Sequence, residues 1–120
     1  MERVSGIGGV FFRAADPAAL KRWYEEPLGV TMTPTDYAQQ PWRQDAGPTA
    51  FEPFPRDTDY FGRPEQAWML NFRVRSLDAI VAQLQAAGID VTVDPQSYPN
   101  GRFARLCDLE GNPIELWEPI

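Results

Sequence analysis

The chain has 120 residues, one domain's worth, with 43% hydrophobic and 23% charged residues, ordinary values for a folded globular protein. Its net charge of −6 disfavours nucleic acid and an anionic membrane surface as partners, since both require a basic face. Histidine is absent, which removes the commonest transition-metal ligand and the easiest general base near neutral pH, and the single Cys107 excludes an internal disulfide.

The opening MERVSGIGGVFF has no basic region followed by a long apolar core, so no signal peptide is expected. No apolar run approaches the roughly 20 residues of a spanning helix. Together with the lone cysteine, these features suit a cytoplasmic protein. GIGGVFFR (6–13) reads as a strand. Asp16 and Pro17 then start a helix, Asp as N-cap and Pro in the first turn, with Leu20, Trp23 and Tyr24 on one stripe. Gly29 ends it and VTM (30–32) begins another strand.

The segment 33–66 holds six of the twelve prolines, which excludes a helix there. WRQDA and TAFEPF within it read as short strands, and RDTDYFGRPEQ (56–66) as a linker. A strand over Trp68–Val74 leads to Ser76 as N-cap of a helix carrying Leu77, Ile80, Val81 and Leu84 on one face. Gly88 suits a left-handed stop, and IDVTV begins a further strand. SYPNG (97–101) is a turn, RFARLCDL a strand, EGN a tight turn, and Pro113 opens the last strand. In that strand Ile114, Leu116 and Glu118 share one face, and Glu115 and Trp117 the other.

The two halves superpose. Phe12-Arg13 lies over Phe72-Arg73 and Gly29-Val30 over Gly88-Ile89, so each half reads strand, capped helix, glycine, strand. With the strands that follow, each half reads β-α-β-β-β. Similar strand-to-helix turns in two unrelated units would give the same pattern.

These residues carry a resemblance. A repeat of this length closing in RFARLCDLEGNPIELWEP resembles the glyoxalase, bleomycin-resistance and extradiol-dioxygenase superfamily, the vicinal oxygen chelate fold. GIGGVFFRAADPAALKRWYEEPLGV is similar to its first module and MLNFRVRSLDAIVAQLQAAGIDV to its second. The resemblance implies an α+β fold in which two βαβββ modules, about 5–55 and 66–119 of a single domain spanning 1–120, form a curled, cup-shaped mixed sheet with helices packed outside. It implies ligands inside the cup and pairing of the chain into a homodimer. It identifies fold better than function, because this fold hosts lyases, isomerases, dioxygenases and drug-binding proteins.

Metal-dependent members place ligands at four positions of the cup. Here they fall on Gly9 and Met69, where histidine is usual, on Glu115, a match, and near Glu52. Two imidazoles are thus replaced by groups unsuited to the usual metals, so no metal and no cofactor is expected. Glu52 and Glu115 could hold Mg²⁺ or Mn²⁺ weakly through oxygen.

If Gly9 and Met69 face inward, so do Phe11, Arg13, Asn71 and Arg73, and Trp117 joins Glu115. The intervening Val10, Phe12, Leu70, Phe72 and Val74 suit a helix-packing face. With Trp42, Glu52, Tyr98 and Arg105 added, the expected ligand-binding set is Phe11, Arg13, Trp42, Glu52, Met69, Asn71, Arg73, Tyr98, Arg105 and Trp117, a lining suited to a small organic molecule, anionic or aromatic. Arg13 and Arg73 equally suit strand ends in water, or pairing with Glu115 and Glu52. Glu115 is the one candidate catalytic residue, a general base for a lyase or isomerase if desolvated beside Trp117, or a buried charge neutralised by arginine. Cys107 reads as a small packed residue, since no histidine stands ready to deprotonate it. Trp42, Tyr60, Phe61, Trp68 and Tyr98 either line the cup or cover a dimer interface, for which DTDYFG is a good segment.

Overall fold

The computed structural model describes residues 1–120. Helix α1 spans Pro17–Leu28. The Asp16 carboxylate accepts from the Ala19 N–H at 3.1 Å, Pro17 occupies the first turn where no N–H is needed, and Gly29 turns left-handed with φ of 74°. Helix α2 spans Leu77–Ala86. The Ser76 hydroxyl accepts from Ala79 N–H at 3.1 Å, and Glu118 reaches from the last strand to accept from Leu77 N–H at 2.9 Å. A carboxylate at that end also opposes the positive pole of the helix.

Four strands make one mixed, open sheet: β1 Leu70–Arg73, β2 Thr92–Val93, β3 Gly101–Cys107 and β4 Pro113–Pro119, in the spatial order β1-β4-β3-β2. β1 runs parallel to β4, with α2, β2 and β3 lying between them in the chain, while β2–β3 and β3–β4 are antiparallel. The fold is thus α+β, with both helices on one face.

The period of two along β3 and β4 builds the core. Ala104 sits opposite Leu116 and Leu106 opposite Ile114, and all four are buried beneath Leu20 and Tyr24 of α1 and Leu77, Val81 and Leu84 of α2. Leu77, Leu84, Ile114 and Leu116 are fully buried, each stabilising the fold by about 1.5–3 kcal/mol. Glu115 and Trp117 face away from the helices and stay half-buried.

The DLEGN turn ties α1 to the sheet. Buried Asp108 accepts from the Tyr24 hydroxyl at 2.6 Å, from Glu110 N–H at 2.8 Å, and from both the side-chain and backbone N–H of Asn112. The Glu110 carboxylate in turn accepts from Ala15 N–H at 2.7 Å and Asp16 N–H at 2.9 Å. Burial, and then the bond to Asp108, push the Tyr24 phenol well above its ordinary range.

Two expectations are corrected here. Cys107 is exposed rather than packed, because β3 alternates and Leu106 takes the inward position. Of the strands expected in the first half, those over 6–13 and 30–32 and in WRQDA and TAFEPF enter no ladder. A strand needs a partner edge, and these segments pair with neither edge of the sheet built by the second half. Prolines between 33 and 66 remove several of the N–H donors a ladder needs. Phe12 still packs, its ring 5.0 Å from Trp68 and 6.4 Å from Tyr24, whereas Phe11 is 96% exposed and Phe51 86%. The radius of gyration, 15.3 Å, exceeds the about 13.5 Å typical of a compact chain of this length. No helix is long and apolar enough to cross a membrane.

Candidate functional site

The sheet face turned away from the helices carries the site. Register sets Asn71, Glu115 and Arg105 side by side across β1, β4 and β3, and Arg73, Trp117 and Phe103 in the next row. Glu115 stands at the centre because β4 lies between the other two strands.

The Asn71 amide donates to one Glu115 oxygen at 2.7 Å, and the Tyr60 hydroxyl donates to the other. Arg105 does not pair with the carboxylate beside it. Its guanidinium lies 4.3 Å from the centre of the Tyr60 ring, a cation–π contact, and donates to the Tyr60 carbonyl. Desolvation first, and the bond to Glu115 second, push the Tyr60 phenol up to about 12, with Arg105 opposing the rise.

Beyond Glu115 the face is aromatic. The Trp117 and Phe103 rings are parallel within 3° with centroids 6.4 Å apart, and Tyr98 meets Phe103 nearly edge-on at 5.9 Å. The Trp117 indole N–H donates to the Asn100 carbonyl at 2.8 Å. Gly101 makes this seat possible: at φ of 139°, a Cβ there would run into the Glu118 carbonyl and come 2.7 Å from the indole nitrogen. The Tyr98 hydroxyl donates to Asp94 at 2.8 Å. Asp94 is held below the usual carboxylate range, chiefly by the Gln96 backbone N–H and then by Tyr98, while the Tyr98 phenol is raised by the same bond.

Tyr60, Asp94, Tyr98, Asn100, Phe103 and Glu115 line a cleft of about 290 Å³. A second, open hollow of about 2510 Å³ separates the first half of the chain from the sheet and shares Tyr60, Asn100, Phe103 and Glu115 with the cleft. It is far larger than the roughly 300–1,000 Å³ of small-molecule pockets.

Of the residues singled out in the sequence, Asn71, Arg105, Glu115 and Trp117 meet on this face, and Tyr98 joins them through Phe103. Met69 is half-buried just before β1, and Arg73 turns to the Asp45 carbonyl at 3.0 Å. Trp42 packs against Phe72 at 6.5 Å, a ring on the opposite, helix-bearing face. Phe11 and Glu52 are exposed on the wall of the large hollow, and Arg13 is exposed outside it. Neither Arg13 nor Arg73 pairs with Glu115 or Glu52. Tyr60, Asp94, Asn100 and Phe103 were not in the expected set. The strand period alone would have added Phe103, two residues before Arg105, but nothing local marks Tyr60 as a partner of Glu115.

The side chains present do not fit the metal centre of metal-dependent relatives. Gly9 and Met69 offer no imidazole, both Glu115 oxygens accept hydrogen bonds from neutral donors, and no three acidic or thiol groups converge.

Residues 9–117 match the family model described as glyoxalase-like domain. The chain belongs to that family. The glyoxalase-like chain is similar over its full length to the crystal structure of TnmS3, an antibiotic binding protein from Streptomyces sp. CB03234, with 26% identity, 100% of both chains covered and a TM-score of 0.66. The fold is shared with a lactoylglutathione lyase from Agrobacterium tumefaciens, at 21% identity, 98% and 96% coverage and a TM-score of 0.63. It is also shared with a glyoxylase/bleomycin resistance protein/dioxygenase domain from Frankia sp. EAN1pec, at 19% identity, 98% and 100% coverage and a TM-score of 0.62. No curated protein sequence matches the glyoxalase-like chain.

Proposed function

We propose that this glyoxalase-like protein binds a small organic ligand, without a metal, against the Glu115 face of its sheet. The observation that carries the reading is the row of flat aromatic groups, Tyr60, Tyr98, Phe103 and Trp117, around one fixed carboxylate. Apolar surface with a few oriented polar groups is what a small-molecule site requires. Full-length likeness to an antibiotic binding protein supports it. The aromatic part of the expected ligand chemistry gains support. The anionic part does not, since Arg73 and Arg105 are already engaged and Arg13 stands apart.

The same proposal takes the protein to be a cytoplasmic homodimer of two-module chains, with modules at about 5–55 and 66–119. Exposed Phe11 and Phe51, segments of the first half that enter no ladder and the expanded dimensions support a second copy completing the surface of the first half. A lyase or isomerase reaction with Glu115 as base is the second reading. It is less well supported, because both Glu115 oxygens are already engaged, one by Tyr60 and the other by Asn71.

Calorimetric titration of a panel of aromatic drug-like compounds tests the proposal. At least one compound is expected to bind with micromolar affinity and to lose about tenfold in a Trp117→Ala variant, the loss of one good aromatic contact. A panel without a binder overturns it. Light scattering coupled to size exclusion checks the dimer, and a monomer at micromolar concentration refutes that part.

A further inference from the structure

The cleft beside Glu115 has an unusual charge balance. Two of its six lining residues are carboxylates, Asp94 and Glu115, and none is basic. The structure contains ion pairs between Arg63 and Glu65, Arg75 and Asp45, and Arg102 with Asp78 and Glu118, and none of them involves Asp94 or Glu115. Every hydrogen bond to these two carboxylates comes from a neutral donor: Tyr60 and Asn71 for Glu115, Tyr98 and the Gln96 backbone for Asp94. Arg105, opposite Glu115 on β3, lies over the ring of Tyr60 and donates to its carbonyl.

Carboxylates that accept only from neutral donors make no ion pair within the protein and are left to make one with a ligand. Of the other cleft walls, the rings of Tyr98 and Phe103 have faces that attract cations, whereas the Tyr60 ring already carries the Arg105 guanidinium and stacks on Phe54. Both phenols are pushed upward and so remain neutral at physiological pH, and Asp94 is held ionised. The net charge of −6 adds a long-range field of the same sign.

We infer that this cleft takes the protonated amine of an organic ligand, seated between the Asp94 and Glu115 carboxylates and against the rings of Tyr98 and Phe103. The inference rests on the small-molecule reading above and assigns the charge of the ligand. A volume of about 290 Å³ suits the amine-bearing end of a molecule, or a single-ring amine, at the small end of ligand pockets.

Three probes of one shape but different charge test it: 2-phenylethylammonium, 2-phenylethanol and 3-phenylpropionate, titrated by calorimetry and by amide chemical shifts. The ammonium is expected to bind at least tenfold more tightly than the alcohol, with the carboxylate weakest. Its affinity is expected to fall at least fivefold in each of Glu115→Gln and Asp94→Asn, with the alcohol unaffected and circular dichroism unchanged. Asp94→Asn keeps the test decisive if Glu115→Gln disturbs folding. If the alcohol or the carboxylate binds as well as the ammonium, the charge assignment falls while the small-molecule reading stands. The charge assignment also falls, alone, if the drug-like panel yields a binder and no ammonium binds. If neither series binds, both fall.

Discussion

The Tyr60 hydroxyl donates to the Glu115 carboxylate across 55 residues of chain, joining the segment between the two halves to the central strand of the sheet. Arg105 fixes the same tyrosine from the neighbouring strand. The pair makes Tyr60 both a wall of the cleft and an anchor for residues 56–66.

A Tyr60→Phe variant keeps the ring and removes the donor. Stability is expected to drop by about 1 kcal/mol, the worth of one hydrogen bond to a partly solvated charge. Urea denaturation measures it. An unchanged midpoint would show that the bond does not hold the linker to the sheet.

Alkaline pH probes the same contact. Tyr60 has its phenol raised from 10.0 to about 12, and Tyr24 is raised as well. A raised folded-state value means that these phenols contribute their full stability below about pH 10 and lose it as pH climbs through the folded value. The melting temperature is therefore expected to decline above about pH 10, and less steeply in Tyr60→Phe. The phenolate absorbance of the native protein should show a step near 12 that this variant lacks. A flat melting profile up to the folded value would contradict the linkage.

Asp108 receives hydrogen bonds from Tyr24, Glu110 and Asn112 in a buried turn. Asp108→Ala leaves several buried donors without an acceptor and is expected to cost about 3 kcal/mol, whereas Tyr24→Phe removes one bond and costs about 1–2 kcal/mol. Chemical denaturation of both variants sets the ratio. Equal losses would mean that the turn is held elsewhere.

Leu116 is fully buried where α1 and α2 meet the sheet. Leu116→Ala is expected to cost about 3–4 kcal/mol through lost burial and the cavity left behind, while its outward neighbour in Trp117→Ala costs less stability and more ligand affinity. Thermal unfolding together with ligand titration separates the two faces of β4.

The physics of neighbours in the chain is readable from the residues alone. Asp16 and Ser76 cap helices because a short side-chain acceptor stands three residues before an unpaired N–H, and Gly29 and Gly88 stop them because a left-handed residue needs no Cβ. The period of two puts Leu116 inward and Glu115 outward, as the burial of β4 bears out. Asn71 and Trp117 follow from that same alternation combined with family resemblance.

Pairing across distance is not readable in this way. Which donors reach Glu115, where Arg73 and Arg105 spend their charge, and that Asp94 faces the same cleft depend on strand register and on the path of residues 56–66, which no local signal encodes. The strands expected in the first half show the other side of this. Amino-acid pattern reports a segment's willingness to extend, but a ladder forms only where a segment meets a sheet edge, and none from the first half pairs with β1 or β2 at the edges of this open sheet. Sequence by itself determined the caps, the faces and the core, because those are properties of one segment; only the tertiary structure decided the partners of Glu115, because a hydrogen bond between distant residues belongs to neither segment alone.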